Sequence, residues 1–269
     1  MKKRLGHILF HRHLLWEFLR RDLQARYVGS AMGFFWSVIN PLILLAVYTV
    51  VFGILFPGQE SKFGDEPKTL DFAFYIFCGL LPWYAFQEAL VRSTTSIVDN
   101  GHLIKQVCFP AKVIPTYITL SGVVNQLIGT LILLIALLIV NHSIPVTMVA
   151  FPLVLALQII FMLGVGFLFS TLNTYIRDIG PLVSTGTMIL MWAAPMFYKL
   201  DHVEKHPYIQ KIMYANPITY MTIINHDLVL FGEWPSMSTW GIFACISVGS
   251  FILGYWAFTR SHNEFADLI

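Results

Sequence analysis

Long apolar stretches alternate with short polar ones along this chain, and the apolar stretches are too long for soluble helices. No Asp, Glu, Lys or Arg occurs in residues 27–59, 113–176, 179–198 or 234–259. Runs beyond about 18 apolar residues form membrane-crossing helices, because the hydrocarbon core is about 30 Å thick. The pattern predicts an all-α, polytopic membrane protein with six spans, at residues 29–56, 72–98, 116–140, 146–173, 182–198 and 236–259. These form one transmembrane domain over 1–269. An interfacial helix over 1–28 precedes the spans, 99–115 and 174–181 are short polar turns, and 199–235 is neither plain loop nor span.

The turns and breaks carry most of the local information. In the 99–115 turn, Leu103, Ile104, Val107 and Cys108 share one helical face, and His102, Lys105 and Gln106 take the other. Asp99 or Asn100 is positioned to cap that helix, and Pro110 and Pro115 are expected to break regular structure after it. Asn40-Pro41 is expected to kink the first span, and Gly79 and Pro82-Trp83 to interrupt the second. Glu88 and Arg92 stand at i, i+4 near the end of the second span and read as a self-neutralising pair. Gly29 and Gly33, then Gly164 and Gly166, mark positions of close helix approach. Within 199–235, Tyr208, Ile209, Ile212 and Met213 have helical spacing, Asn216-Pro217 breaks the run, and 218–231 is too short to cross. A pair of short helices at the membrane surface is expected there.

Composition agrees with the pattern: 57% of residues are hydrophobic and 12% charged, against roughly 25% charged in soluble domains. Charge placement adds a direction. With a cytoplasmic N-terminus, six spans put 12 of the 17 Lys and Arg residues, including every arginine, on the cytoplasmic side. The positive-inside rule favours that orientation, with the C-terminus also cytoplasmic. The 99–115 and 174–181 turns then face the cytoplasm, and 199–235 lies outside. Residues 1–28 combine Lys2, Lys3, Arg4, Arg12, Arg20, Arg21 and Arg26 with Trp16, Leu19, Leu23 and Tyr27 at helical spacing, which suits a helix lying in the membrane interface. A helix docked on protein is the alternative. The apolar run that follows is too long for a cleaved signal core.

Known catalytic signatures are missing. The sequence has no HExxH, no GxSxG and no glycine-rich dinucleotide fingerprint, and its three cysteines have no paired spacing. His7, His11 and His13 lack the cysteine or carboxylate partners of a metal site. No GxxxxGK[ST] phosphate loop is present, so ATP is not expected to bind in that way. Ion-coupled carriers keep ionisable groups at mid-membrane, and the spans offer only Glu88 and Arg92. An energy source outside this chain is the economical expectation. Aromatic residues within or at the ends of three spans, Tyr48, Phe52, Trp83, Tyr84, Trp192, Phe197 and Tyr198, are candidates to line a route for sugars; interfacial anchoring is the competing reading.

Several segments taken in order resemble one family: residues 23–42 (LQARYVGSAMGFFWSVINPL), 77–86 (FCGLLPWYAF), 103–115 (LIKQVCFPAKVIP), Arg177-Asp178-Ile179 and Asn216-Pro217. Together they resemble the membrane permease subunit of ABC-type polysaccharide exporters, which move capsule, O-antigen or teichoic-acid polymers. The resemblance covers nearly the whole chain. It implies a homodimer in the cytoplasmic (inner) membrane that docks two ATPase subunits, which hold ATP and magnesium; no cofactor belongs to this chain and no nucleic-acid partner is implied. The substrate would be a polysaccharide, polyol-phosphate polymer or lipid-linked glycan. Leu103, Ile104, Lys105, Gln106, Val107, Arg177 and Asp178 would couple to the ATPase, and Asn216 and Pro217 would belong to an outer gate. A departure stands at Asn225-His226-Asp227, where a Lys or Arg is expected. The rivals are an ABC-type permease for a lipid or drug and an ion-coupled carrier.

Overall fold

The computed structural model of the chain describes residues 2–26, 32–51, 71–105, 109–141, 143–198 and 207–269. Among them no strand occurs, and the helices are α1 (Lys2–Ala25), α2 (Trp36–Tyr48), α3 (Asp71–Asp99), α4 (Gly101–Ile104), α5 (Val113–Asn141), α6 (Phe151–Tyr175), α7 (Ile179–Trp192), α8 (Pro207–Ala215), α9 (Pro217–His226), α10 (Met237–Ser261) and α11 (Phe265–Leu268). Four are long and apolar enough to cross a membrane: Phe72–Asp99, Val113–Val140, Val146–Tyr175 and Met237–Ser261. Two apolar helices are shorter, Trp36–Val51 and Ile179–Trp192. At about 1.5 Å per residue, the 14 residues of α7 reach about 21 Å. The expected first and fifth spans are therefore helical over only part of their predicted length within the described residues.

The hub is α3. Of its most apolar window 78% is buried, against 22% for α10, so α3 is enclosed by neighbours while α10 presents one side outward. Phe72, Ile76, Phe77, Leu80, Trp83 and Phe86 build the main core with Leu133, Phe161, Met196, Ile224 and Phe243. The expected interruption at Gly79 and Pro82 does not occur, because α3 runs unbroken from Asp71 to Asp99 with Pro82 inside it. Packing on all sides offsets the hydrogen bond a mid-helix proline removes, and the Gln158 side chain donates to the Pro82 carbonyl at 3.3 Å. Gln126 and Gln158 exchange amide hydrogen bonds at 3.0 and 2.7 Å, joining α5 to α6.

Lipid tails are as apolar as leucine, so membrane helices associate through close packing more than through burial from water. The α6–α10 crossing shows this directly. A Cβ on Gly254 would overlap the Gly164 carbonyl, and one on Gly164 would overlap the Phe251 and Ser250 backbone. Gly166 sits beside Ser93 of α3. The expected close-packing role of Gly164 follows from backbone contact and that of Gly166 from the Ser93 side chain, whereas Gly33 takes φ +48° with open space around it and makes no close approach; Gly29 lies outside the described residues.

Contacts define two ends. At one, α4, the residues before α5, the α6–α7 turn and α11 gather around a second core cluster of Ile97, Ala111, Ile114, Ile118, Phe167, Phe258 and Phe265. At the other, Val146–Ala150, α9 and the turn Asp227–Phe231 meet, and the Thr147 hydroxyl donates to the Leu228 carbonyl at 2.8 Å. Gly232 closes that turn with φ +66°, a left-handed conformation that favours glycine.

Candidate functional site

The first sequence-predicted coupling element is a single turn of helix. Asn100 occupies the cap position of α4 but its side chain makes no cap bond; it donates instead to the Ser96 carbonyl at 2.8 Å. Leu103 and Ile104 are half-buried, and Ile104 packs against the second core cluster, while His102 and Lys105 are exposed. The apolar face of this element therefore seats on its own subunit and leaves the polar face open. Gln106, Val107 and Cys108 lie outside the described residues. Pro115 does not break structure as expected: it falls in the first turn of α5, where its missing N–H costs nothing.

The second predicted element, the α6–α7 turn, is built by one side chain. Ile176 ends α6 in an extended conformation, and the Asn173 side-chain oxygen accepts from the Gly180 N–H at 2.9 Å, which pins the start of α7. Arg177 and Asp178 are left exposed between them.

Behind these turns lies a charge cluster. Glu88 and Arg92 are not an isolated pair, as the i, i+4 spacing predicts, but half of a four-charge group with Asp22 and Arg26 of α1. Arg92 bridges Asp22 and, at 2.8 Å, Glu88; Arg26 bridges Asp22 and Glu88 and reaches the Ser121 hydroxyl at 2.7 Å. Two positive and two negative groups cancel, so the cluster is a clasp, not a free ion site. Burial works to raise the Asp22 pKa, but hydrogen bonds from Arg92 and Ser121 and the charges of Arg92 and Arg26 hold it below its ordinary value. Above the clasp, Phe18 stacks on Tyr117 at 5.5 Å and meets Phe109 edge-on at 5.9 Å. The α1 helix thus docks on α5 through Phe18, Leu19, Asp22 and Arg26, and Trp16 faces outward.

The aromatic candidates separate into three settings. Trp83 has 0% exposure and packs against Phe86 at 5.7 Å, so a polymer would reach its ring only if the helices around α3 parted. Tyr48 and Tyr84 interact across the α2–α3 seam, and Tyr84 lines a cavity of about 280 Å³ with Asn40, Pro41, Glu88 and Gln126. Trp192 and Phe197 stack at 5.1 Å beyond α7, where the Tyr198 hydroxyl donates to the Trp192 carbonyl at 2.7 Å. Phe52 lies outside the described residues.

The expected pair of short helices is present, α8 of 9 residues and α9 of 10. Tyr208, Ile209 and Ile212 turn outward from α8, and Met213 turns inward. Asn216 caps α9 by accepting from the Ile218 N–H at 3.0 Å and ties it to α7 by donating to the Leu190 carbonyl at 2.9 Å; Pro217 takes the first turn. His226 stacks on Tyr75 at 3.9 Å and bonds its carbonyl at 2.9 Å, while the Tyr75 hydroxyl donates to the Pro195 carbonyl at 3.0 Å. Tyr75 thereby joins the hub, the segment after α7 and α9.

Residues 13–224 match the family model of the ABC-2 type transporter. The chain belongs to that family. This ABC-2 type permease is similar to the O-antigen export system permease protein RfbA of Myxococcus xanthus, at 26% identity over 96% of each chain. It is also similar to two proteins of that name from Klebsiella pneumoniae, one 30% identical over 86% of this chain and 85% of the relative, the other 29% identical over 100% and 98%.

In this ABC-2 permease the sequence reading found the short turns and the pair of short helices but missed Asp22, Arg26, Ser121 and Tyr75. An Asp and an Arg at i, i+4 in the arginine-rich segment 1–28 were the available signal for the clasp. Nothing local marked Tyr75, whose partners lie 120 and 151 residues away.

Proposed function

We propose that this chain is the membrane subunit of an ATP-driven exporter that carries a polysaccharide, free or lipid-linked, out across the cytoplasmic membrane. It works as a homodimer with two ATPase subunits, its two polar turns face the cytoplasm, and α8 and α9 lie at the outer exit. The observation that carries this reading is the similarity, over nearly the full length of the chain, to permease proteins named for O-antigen export. The geometry supports it: exposed His102, Lys105, Arg177 and Asp178 stand on turns at one end of the bundle, each with its backbone fixed from behind.

The test is reconstitution of the chain with its ATPase partner in vesicles, with cells lacking the chain assayed for surface polysaccharide. Loss of surface polymer in those cells, and ATPase stimulation that falls in Lys105→Glu and Arg177→Ala, are expected. Surface polymer unchanged by deletion, or transport that persists without any ATPase and collapses with an uncoupler, overturns the proposal.

A further inference from the structure

The two polar turns are far apart in sequence, yet one short segment touches both. Residues 264–269 follow α10 and fold back across the end of the bundle as α11. Glu264 accepts a hydrogen bond from the Tyr175 hydroxyl, at the start of the α6–α7 turn. Five residues later Ile269 sits against Gly101, the first residue of α4, so closely that a Cβ on Gly101 would overlap its Cγ2. Between these contacts Phe265 is fully buried, edge-on to Phe258 at 5.1 Å, in the same cluster as Ile97, Ala111 and Ile114 that Ile104 packs against. The segment is thus anchored in its middle and touches one turn at each end.

We infer that residues 264–269 are a strut that ties the α3–α5 turn to the α6–α7 turn, so that a push on either displaces both. Tyr175, Glu264 and Ile269 are positioning residues: they act through Gly101–Lys105 and Arg177–Asp178. The reason lies in the turns themselves. Each is short and open on its outer side, and α4 is one turn of helix, which has little stability of its own. Packed interfaces transmit displacement because they have discrete arrangements and do not deform continuously. Without the strut, α4 keeps its seat under Ile104 but loses its mechanical link to the second turn. This inference rests on the reading that both turns receive the ATPase.

The test uses the full transporter, this chain with its ATPase in vesicles, comparing wild type with Tyr175→Phe, Ile269→Ala and the two combined. Tyr175 is exposed and Ile269 is half-buried at the edge of the second core cluster, so these changes disturb that core less than Phe265→Ala would. Three quantities are read: ATPase co-purification, polymer exported per ATP hydrolysed, and amide exchange in 101–104 and 174–178. Expected are unchanged co-purification, faster exchange in both segments of the double variant, and a fall of about fivefold or more in polymer per ATP, the low end of ordinary allosteric coupling. Faster exchange with an unchanged ratio of polymer to ATP overturns the strut and leaves the transport reading standing. A wild-type chain that neither binds nor stimulates an ATPase overturns the transport reading itself.

Discussion

The Ser121 hydroxyl of α5 donates to the Asp22 carboxylate of α1 at 2.6 Å, across 99 residues of sequence. This bond puts a neutral donor at the centre of a four-charge clasp, and together with the stronger hydrogen bond from Arg92 and the charges of Arg92 and Arg26 it keeps Asp22 ionised although half-buried. Asp22→Asn removes the negative charge and one of the two acceptor oxygens, and leaves Arg92 and Arg26 with Glu88 as their one carboxylate in the cluster. A charged hydrogen bond removed so that its partner stays behind costs about 1–3 kcal/mol, so a lower thermal midpoint and easier proteolysis near residues 22–26 are expected. The pH dependence has a definite sign. The folded pKa of Asp22 lies below its ordinary 3.8, so its contribution is present above that value and is lost as pH falls through the folded value. The difference in melting midpoint between wild type and Asp22→Asn should narrow as pH falls below 3.8 and close only below the lower folded value; a difference that does not narrow over that range contradicts the assignment.

At the α6–α10 crossing the backbones touch, and no side chain can relax out of the way. Gly254→Ala drives a methyl group into the Gly164 carbonyl. Overpacking typically costs about 1–3 kcal/mol and more where the obstacle is backbone. Gly249→Ala, on the same helix with open space around it, is the control. In detergent, Gly254→Ala should melt well below wild type and Gly249→Ala near it.

Asp227 opens the turn after α9, at the end of the molecule where that turn meets Val146–Ala150. Burial, then the nearby charge of Glu233, raises its pKa from 3.8 to about 6. A raised carboxylate pKa means that the neutral form is preferred in the fold: its stabilisation is complete below 3.8 and is lost as pH rises through about 6. Asp227→Asn should therefore raise the melting midpoint at pH 8 and leave it unchanged below about pH 4. Glu233→Gln should give a smaller shift of the same sign. Equal stabilisation at both pH values would mean that Asp227 does not titrate in this range.

How much of this was legible in the sequence depends on the distance over which each feature is decided. Charge-free runs marked the long helices, because membrane crossing is a property of one segment. Asn216-Pro217 marked the break between two short helices, because a proline's effect on the helix is local. Pro82 and Pro115 misled: their local effect is to break helices, but packing around α3 overrides it in one case and first-turn placement removes it in the other. Glu88 and Arg92 read as a pair because i, i+4 spacing is visible, whereas the partners that complete the clasp come from α1. Ile269 against Gly101 and Glu264 against Tyr175 lay beyond any local pattern, since only the folded chain returns its last helix to its first polar turn.

Trp83 shows how a residue singled out for chemistry is decided by packing. Its ring has no exposed surface, and its indole N–H has no hydrogen-bond partner among the described residues. An unpaired buried donor costs about 1–3 kcal/mol, so the ring holds its place through contact area and not through that N–H. Trp83→Phe removes the unpaired donor and keeps most of the contact with Phe86, and it should leave both melting midpoint and surface polymer near wild type. Trp83→Ala opens a cavity at the hub of the bundle and should cost about 3–5 kcal/mol, with polymer export falling in step with the amount of folded protein. A fully folded Trp83→Phe variant that exports no polymer would reverse the argument: the indole N–H would then meet the substrate when the helices around α3 part during transport.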